Sequence, residues 1–188
     1  ACQRACVDWQ LYHTNQTGDW EIFRLGDLGE RISLSANLSQ GVEADDVAPS
    51  RSPDAEWIVF SSNRDGNWEI YVAPTNGNIS QTRRVTFNTV ASDTDPVWGP
   101  GNMLVYESSR DGNWELYAFD LKTGVETRLT DNNASDINAF WSNDGTRILF
   151  QSDRSGAWQL YELTLATAAL RTISDGSAQD VSGSYNGT

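Results

Sequence analysis

One phrase is written four times in this chain, and each copy is built from residues that favour strands and tight turns. It reads SSNRDGNWEIY at 61–71 and SSRDGNWELY at 108–117, and in altered form TNQTGDWEIF at 14–23 and SDRSGAWQLY at 152–161. Its tryptophans, Trp20, Trp68, Trp114 and Trp158, recur at spacings of 48, 46 and 44 residues. Nine residues before each stands the centre of an apolar segment, Leu11, Val59, Val105 and Leu149, followed by an aromatic, Tyr12, Phe60, Tyr106 and Phe150. After each comes a short triplet expected as a third strand: SLS at 33–35, RVT at 84–86, RLT at 128–130 and TIS at 172–174. A period of this length belongs to stacked or radially repeated units, in which no single unit can bury its own apolar surface.

The segments read as strands. MLVYES at 103–108 and WELYAFD at 114–120 are rich in β-branched and aromatic residues, too short for helices, and bounded by Gly, Asn and Asp. Met103 and Val105 fall on one face and Leu104 and Tyr106 on the other, so the sheet needs a neighbour on both sides. The RDGN, RSGA and QTGD connectors are hairpin loops whose Gly can take positive φ. A further strand precedes the pair in three units: DDVAPSR at 45–51, DTDPVW at 93–98 and SDINAFW at 135–141. Four antiparallel strands per unit, repeated radially, make an all-β β-propeller with four four-stranded blades. In a single domain 1–188, the blades are 6–37 plus 178–188, 44–88, 92–131 and 135–175.

The run from Pro-x-Trp through a turn and an apolar strand to S-x-R-D-G-x-W-E-[IL]-Y resembles the PD40 (WD40-like) repeat of TolB-like β-propellers. The likeness spans nearly the whole chain and is strongest in units two and three. Ser155 replaces Asp in unit four, Gln16 stands at the Arg position in unit one, and Arg51 takes the place of Trp98 and Trp141. The resemblance implies a periplasmic or cell-surface interaction module. TolB-like propellers generally have more than four blades.

Unit one begins at its second strand, VDWQLYHT, whereas AQDVSGSYNGT at 178–188 reads as a first strand without a second. Aligning Asp180 with Asp136 puts Tyr185 at the Trp141 position. Asp180, Val181 and Tyr185 would then complete the first blade, in cis as a closed ring or in trans between copies. Completion in trans gives larger rings or filaments. A piece of a longer propeller would show the same pattern.

Thirteen Lys and Arg face twenty-six Asp and Glu, a formal net charge of −13. Such a surface repels phosphate backbones and anionic headgroups, which argues against nucleic acid and membrane partners. No apolar run approaches the roughly 20 residues that span a bilayer. The expected location is extracellular or periplasmic, after removal of a leader. Cys2 and Cys6 form a local disulfide, bond to another chain in an exported protein, or stay two free thiols. The sequons at Asn15, Asn37, Asn78, Asn133 and Asn186 fall in expected loops or the tail and would tolerate glycans in an exported protein.

No catalytic constellation is visible. His13 is the one histidine and aligns with Glu107 and Gln151 at a strand end, where it reads as surface filler. Oligogalacturonate lyases resemble this repeat family but hold a metal mostly with histidines; prolyl peptidases carry related propellers beside a hydrolase domain that this sequence lacks. No cofactor is required. The candidate metal site is a ring of Asp46, Asp93, Asp136 and Asp180, at equivalent starts of the innermost strands, which would hold Ca²⁺ in the central channel. The alternative is that each Asp caps its own turn. Arg64, Arg110 and Arg154 read as structural residues joining neighbouring sheets, and the repeated Trp as inter-blade packing. The expected function is a non-catalytic exported module that binds a protein or carbohydrate. The alternatives are a subunit of an extracellular assembly joined by strand completion and, remotely, a polysaccharide lyase-like enzyme.

Overall fold

The computed structural model describes residues 9–16, 18–26, 28–35 and 43–174. Cys2, Cys6, Asn37, Asp180, Val181, Tyr185 and Asn186 lie outside the described residues, and with them the disulfide and the strand completion.

Each repeat folds into one antiparallel sheet with its strands in chain order. The first blade holds β1 (Trp9–Thr14), β2 (Glu21–Gly26) and β3 (Arg31–Ser33). The second holds β4 (Asp46–Arg51), β5 (Trp57–Ser62), β6 (Glu69–Pro74) and β7 (Arg83–Arg84). The third holds β8 (Asp93–Trp98), β9 (Met103–Ser108), β10 (Glu115–Asp120) and β11 (Glu126–Arg128). The fourth holds β12 (Asp136–Trp141), β13 (Arg147–Ser152), β14 (Gln159–Thr164) and β15 (Ala169–Thr172). Among the described residues no helix is long and apolar enough to cross a membrane.

Alternation along the central strands sends apolar side chains to both faces, and the blades stack through three separate cores. Ile22 and Leu34 of the first blade meet Ile58, Phe60, Tyr71 and Ala73 of the second. Val59, Ile70 and Val72 on the opposite face of that sheet meet Leu104, Tyr106 and Tyr117 of the third. Val105 and Leu116 then meet Ile148, Phe150, Tyr161 and Leu163 of the fourth. Phe60, Tyr106 and Phe150 are fully buried, and burial of one such side chain contributes about 1.5–3 kcal/mol. Among the described residues no strand of the fourth blade contacts a strand of the first; the segment expected between them, 178–188, lies outside.

The hairpin between the second and third strand of each blade turns where the sequence requires it. Gly18, Gly66, Gly112 and Gly156 have φ of 120, 100, 93 and 89°, a region closed to most side chains. The third strands are displaced from their expected place: each ends at the first residue of its triplet. In each triplet the apolar residue keeps one ladder bond, and the following hydroxyl, Ser35, Thr86, Thr130 or Ser174, accepts the N–H of Ile22, Ile70, Leu116 or Leu160. A hydroxyl latch therefore replaces the next rung.

The repeated tryptophans join blades through their main chain. The carbonyls of Trp20, Trp68 and Trp114 accept the N–H groups of Asp46, Asp93 and Asp136 at 2.7, 2.9 and 2.8 Å, so the start of each inner strand hangs on the preceding blade. Their rings are only partly covered, and Trp20 is 39% exposed, so ring packing is not the main joint. A different indole packs closely. Trp141 lies against Gly99, where an added Cβ would stand 2.4 Å from the ring. Gly99→Ala is accordingly expected to lower stability by about 1–3 kcal/mol through overpacking, measured by urea denaturation; an unchanged midpoint would mean the indole moves aside freely.

Candidate functional site

Of the four aspartates expected to converge on a cation, the three that are described, Asp46, Asp93 and Asp136, are the first residues of the inner strands and are paired within their own blades. Arg64 meets Asp46 at 2.6 Å, Arg110 meets Asp93 at 3.2 Å and Arg154 meets Asp136 at 2.7 Å. Asp93 and Asp136 are completely buried and Asp46 is nearly so. Burial pushes the Asp46 carboxyl up, and the Arg64 guanidinium opposes it. The guanidinium supplies the positive charge that a cation would have brought. Among the described residues no three His, Cys, Asp or Glu side chains gather to hold a metal.

The arginines do not span neighbouring sheets, as their sequence context suggested. Each Nε–H donates to a serine of its own blade, Ser62, Ser108 or Ser152, at 2.8 Å. Each guanidinium also lies over the tyrosine that ends the repeated phrase, 4.5 Å from the Tyr71 centroid, 4.2 Å from Tyr117 and 4.8 Å from Tyr161. These tyrosines pair with Phe60, Tyr106 and Phe150. The Tyr71 hydroxyl donates to Asp65 and the Tyr117 hydroxyl to Asp111; burial and the Asp111 bond push Tyr117 up to about 12. Where Gln16 replaces the arginine, Arg31 arrives from β3 instead. It covers the stacked Tyr12 and Phe23 and donates to the Tyr12 hydroxyl and the Gln16 carbonyl.

The inner strands β4, β8 and β12 share a feature absent from the sequence reading. Each carries a bulge opposite its neighbour, between Val47 and Ser50, Thr94 and Val97, and Ile137 and Phe140. At each bulge one non-glycine residue is left-handed: Ala48, Asp95 and Asn138, with φ of 50, 49 and 53°. The prolines at 49 and 96 were the available signal, since proline inside a strand marks an edge or bulge. The N–H of each left-handed residue is taken by a side chain of the preceding blade: His13 Nδ1 at 3.2 Å, Ser61 Oγ at 3.0 Å and Glu107 Oε1 at 2.6 Å. His13 is thus an inter-blade acceptor, not surface filler, and its ring meets the edge of Trp20.

These strands enclose a channel cavity of about 300 Å³ lined by Pro49, Asp95, Pro96, Asn138 and Ala139 among others. Asp95 is open to the channel, yet the protein mass around it pushes its carboxyl up, against the pull of Thr94 and His13. Glu107 lies behind, buried, and burial together with the charge on Asp95 pushes it up to about 8. Val97 and Phe140 also line a second cavity of about 510 Å³ at the channel mouth, walled by Trp98, Trp141, Pro53 and Pro100. The Trp98 main-chain N–H donates to Ser50 Oγ, and the Trp141 indole N–H donates to the Val97 carbonyl, which fixes the Trp141 ring. Phe140 is 37% exposed. Asp144 beside this mouth is held well below the usual carboxylate range by bonds from Ser142 and Thr146. The sequon residues Asn15, Asn78 and Asn133 are exposed.

A family model described as the TolB beta propeller domain, PD40, matches residues 80–187. Among solved structures, a putative TolB from Agrobacterium tumefaciens superposes with a TM-score of 0.76 at 24% identity, covering 92% of this chain and 60% of that one. TolB from Acinetobacter baumannii gives 0.71 at 22% identity, covering 92% of this chain and 42% of that one. A puromycin-hydrolyzing peptidase of Mycobacterium tuberculosis gives 0.65 at 14% identity, with coverage of 89% and 30%. The chain therefore spans less than two thirds of each of these proteins. No curated protein matches it.

Two outcomes follow from the geometry. Arg110→Met leaves the Asp93 carboxylate buried without its cation, so a loss of about 3 kcal/mol is expected. In urea denaturation, Asp93→Asn combined with Arg110→Met should cost less than the two single changes summed. Glu107 holds its proton in the folded state up to about pH 8, whereas in the unfolded chain it releases it near the ordinary glutamate value. The folded state therefore binds more protons across that window, and stability falls as pH rises through it. Glu107→Gln removes this slope. Its melting temperature relative to the parent protein should rise between pH 5 and pH 8; a constant difference would refute the proton's retention.

Proposed function

Because this chain belongs to the TolB β-propeller family, we propose that it is a non-catalytic interaction module which receives a partner at the channel mouth. The observation that carries this reading is the aromatic cavity walled by Trp98 and Trp141 and continuous with the channel. Rigid rings in a concave site supply contact area at little entropic cost, as the centres of binding interfaces do. The non-catalytic reading is supported by the engagement of His13 with the Ala48 N–H and Trp20. Turnover of polyuronides or peptides by purified protein would overturn it.

The reading extends to an exported protein, periplasmic or on the cell surface, as TolB-like propellers are. A protein is the favoured partner and a carbohydrate the other candidate. Immobilised protein is expected to retain a discrete partner from an envelope extract and to lose it on Phe140→Ala, a change at a partly exposed ring. Equal retention by the variant, or none by either, would remove the mouth from consideration.

A second reading is favoured by one observation. Tyr12 and Phe23 are the counterparts of aromatic pairs that the other blades bury against a preceding blade, yet here they are only half-buried. Residues 178–188, from the same chain or from another copy, would complete this blade. Deleting them should unfold a monomer if completion is in cis, or dissolve an oligomer in sedimentation if it is in trans; an unaltered, stable species would exclude both.

A further inference from the structure

We propose that the groove from channel to mouth takes an extended peptide segment of a partner, its lysine or arginine side chain meeting Asp95 and a neighbouring proline or apolar residue seated between Trp98 and Trp141. This rests on the interaction reading above and names the partner's chemistry.

The charge pattern carries the first half. Buried acids at the blade joints have a guanidinium, Asp46, Asp93 and Asp136, and also Glu69 with Arg84 and Glu115 with Arg128. Among the described residues the exceptions are the buried Glu107 and, in front of it, the channel-exposed Asp95. Glu107 is 6% exposed. One of its oxygens accepts the Asn138 N–H, and the other has no partner among the described residues. Two carboxyl groups in reach of one another, one open to a cavity and one behind it, repel when both ionise. A cation entering the channel relieves that repulsion. His13, the remaining titratable group that acts on Asp95, gives its Nδ1 to the Ala48 N–H. Asp144 at the mouth adds negative charge; the nearby cation, Arg51, lies over Trp9.

The shape carries the second half. Val97 and Phe140 belong to both cavities, so Asp95, with Glu107 behind it, and the aromatic mouth lie on one continuous path along β8 and β12. From Asp95 to Trp98 is three residues of strand, about 10 Å, which an extended peptide covers with two or three residues. Proline and aliphatic side chains fill aromatic-lined grooves without polar groups to satisfy, and a peptide with restricted backbone freedom loses little entropy there. A neutral sugar brings no counter-charge to Asp95, and an acidic one is repelled by a chain of net charge −13.

The test is tryptophan fluorescence titration of the full chain with three probes: acetyl-PPKPP-amide, acetyl-PPEPP-amide and a neutral gluco-oligosaccharide. Saturable binding of the lysine peptide is expected, at least about ten-fold tighter than the glutamate peptide. Asp95→Asn keeps a residue that tolerates the left-handed backbone, and Glu107→Gln keeps the acceptor for the Asn138 N–H. With melting curves confirming that both fold, each should weaken the lysine peptide about five- to ten-fold at pH 9, where Glu107 is ionised, and should not weaken the glutamate peptide; at pH 6 only Asp95→Asn should do so. Affinity for the lysine peptide should rise from pH 6 to pH 9 in the parent protein as Glu107 ionises, and stay flatter in Glu107→Gln. Equal affinity for the two peptides, absence of saturable binding, or binding of the oligosaccharide alone overturns the proposal. If envelope capture succeeds while the peptides fail, only the peptide chemistry falls; if capture fails, the mouth itself is not the site.

Discussion

Each complete blade depends on a carboxylate and a guanidinium that are buried together over a stacked pair of aromatic rings. Asp93 is completely buried and Arg110 largely so, and neither charge would be tolerated there alone. The pair fastens the start of the innermost strand to the hairpin between the second and third strands, so the ends of the sheet are tied before the blades stack. The aromatic rings supply the floor: cation and π-face meet at little over 4 Å in the third blade. The first blade shows that the cation matters more than the position it comes from. With Gln16 at the usual site, Arg31 reaches the same rings from another strand.

Between blades a different set of forces operates. Three apolar cores carry the bulk of the contact, and the main chain adds direction through the tryptophan carbonyls and the bulge N–H groups. The acceptor for the bulge is the one joint element whose chemistry changes from blade to blade: an imidazole, a hydroxyl and a carboxyl. Regular parts hold the frame, and the variable acceptor sits behind the bulge residue that lines the channel. Function on a repeated scaffold is placed where the repeat is broken, and Asp95 with Glu107 is such a break.

Much of the fold could be read from the chain. The phase of the phrase gave four units, the two-faced strands required stacking, and the glycine of each connector marked its turn. The roles of individual residues in the phrase were harder to read. Recurrence of arginine in three of the four units suggested a device between sheets, but the partner aspartate sits eighteen or seventeen residues earlier in the same sheet. The equivalent placement of the aspartates suggested convergence on an ion, whereas Asp46, Asp93 and Asp136 each meet an arginine of their own blade. The tryptophan was credited to its ring, while its carbonyl makes the joint. His13 looked idle because its partner, the Ala48 N–H, is thirty-five residues away. The groove at the mouth was not legible as a site: Trp98 and Trp141 recur at equivalent positions, but they share a cavity with Phe140 only where β8 and β12 of successive blades meet.

Period, strand polarity and turn positions were fixed by the linear order of residues, because they follow from local stereochemistry and from which faces must leave water. Which carboxylate meets which guanidinium, where an inner strand bulges, and which side chains share a cavity were decided only when the sheets stacked. Those outcomes depend on distances between residues far apart in the chain, and neither composition nor spacing encodes distance.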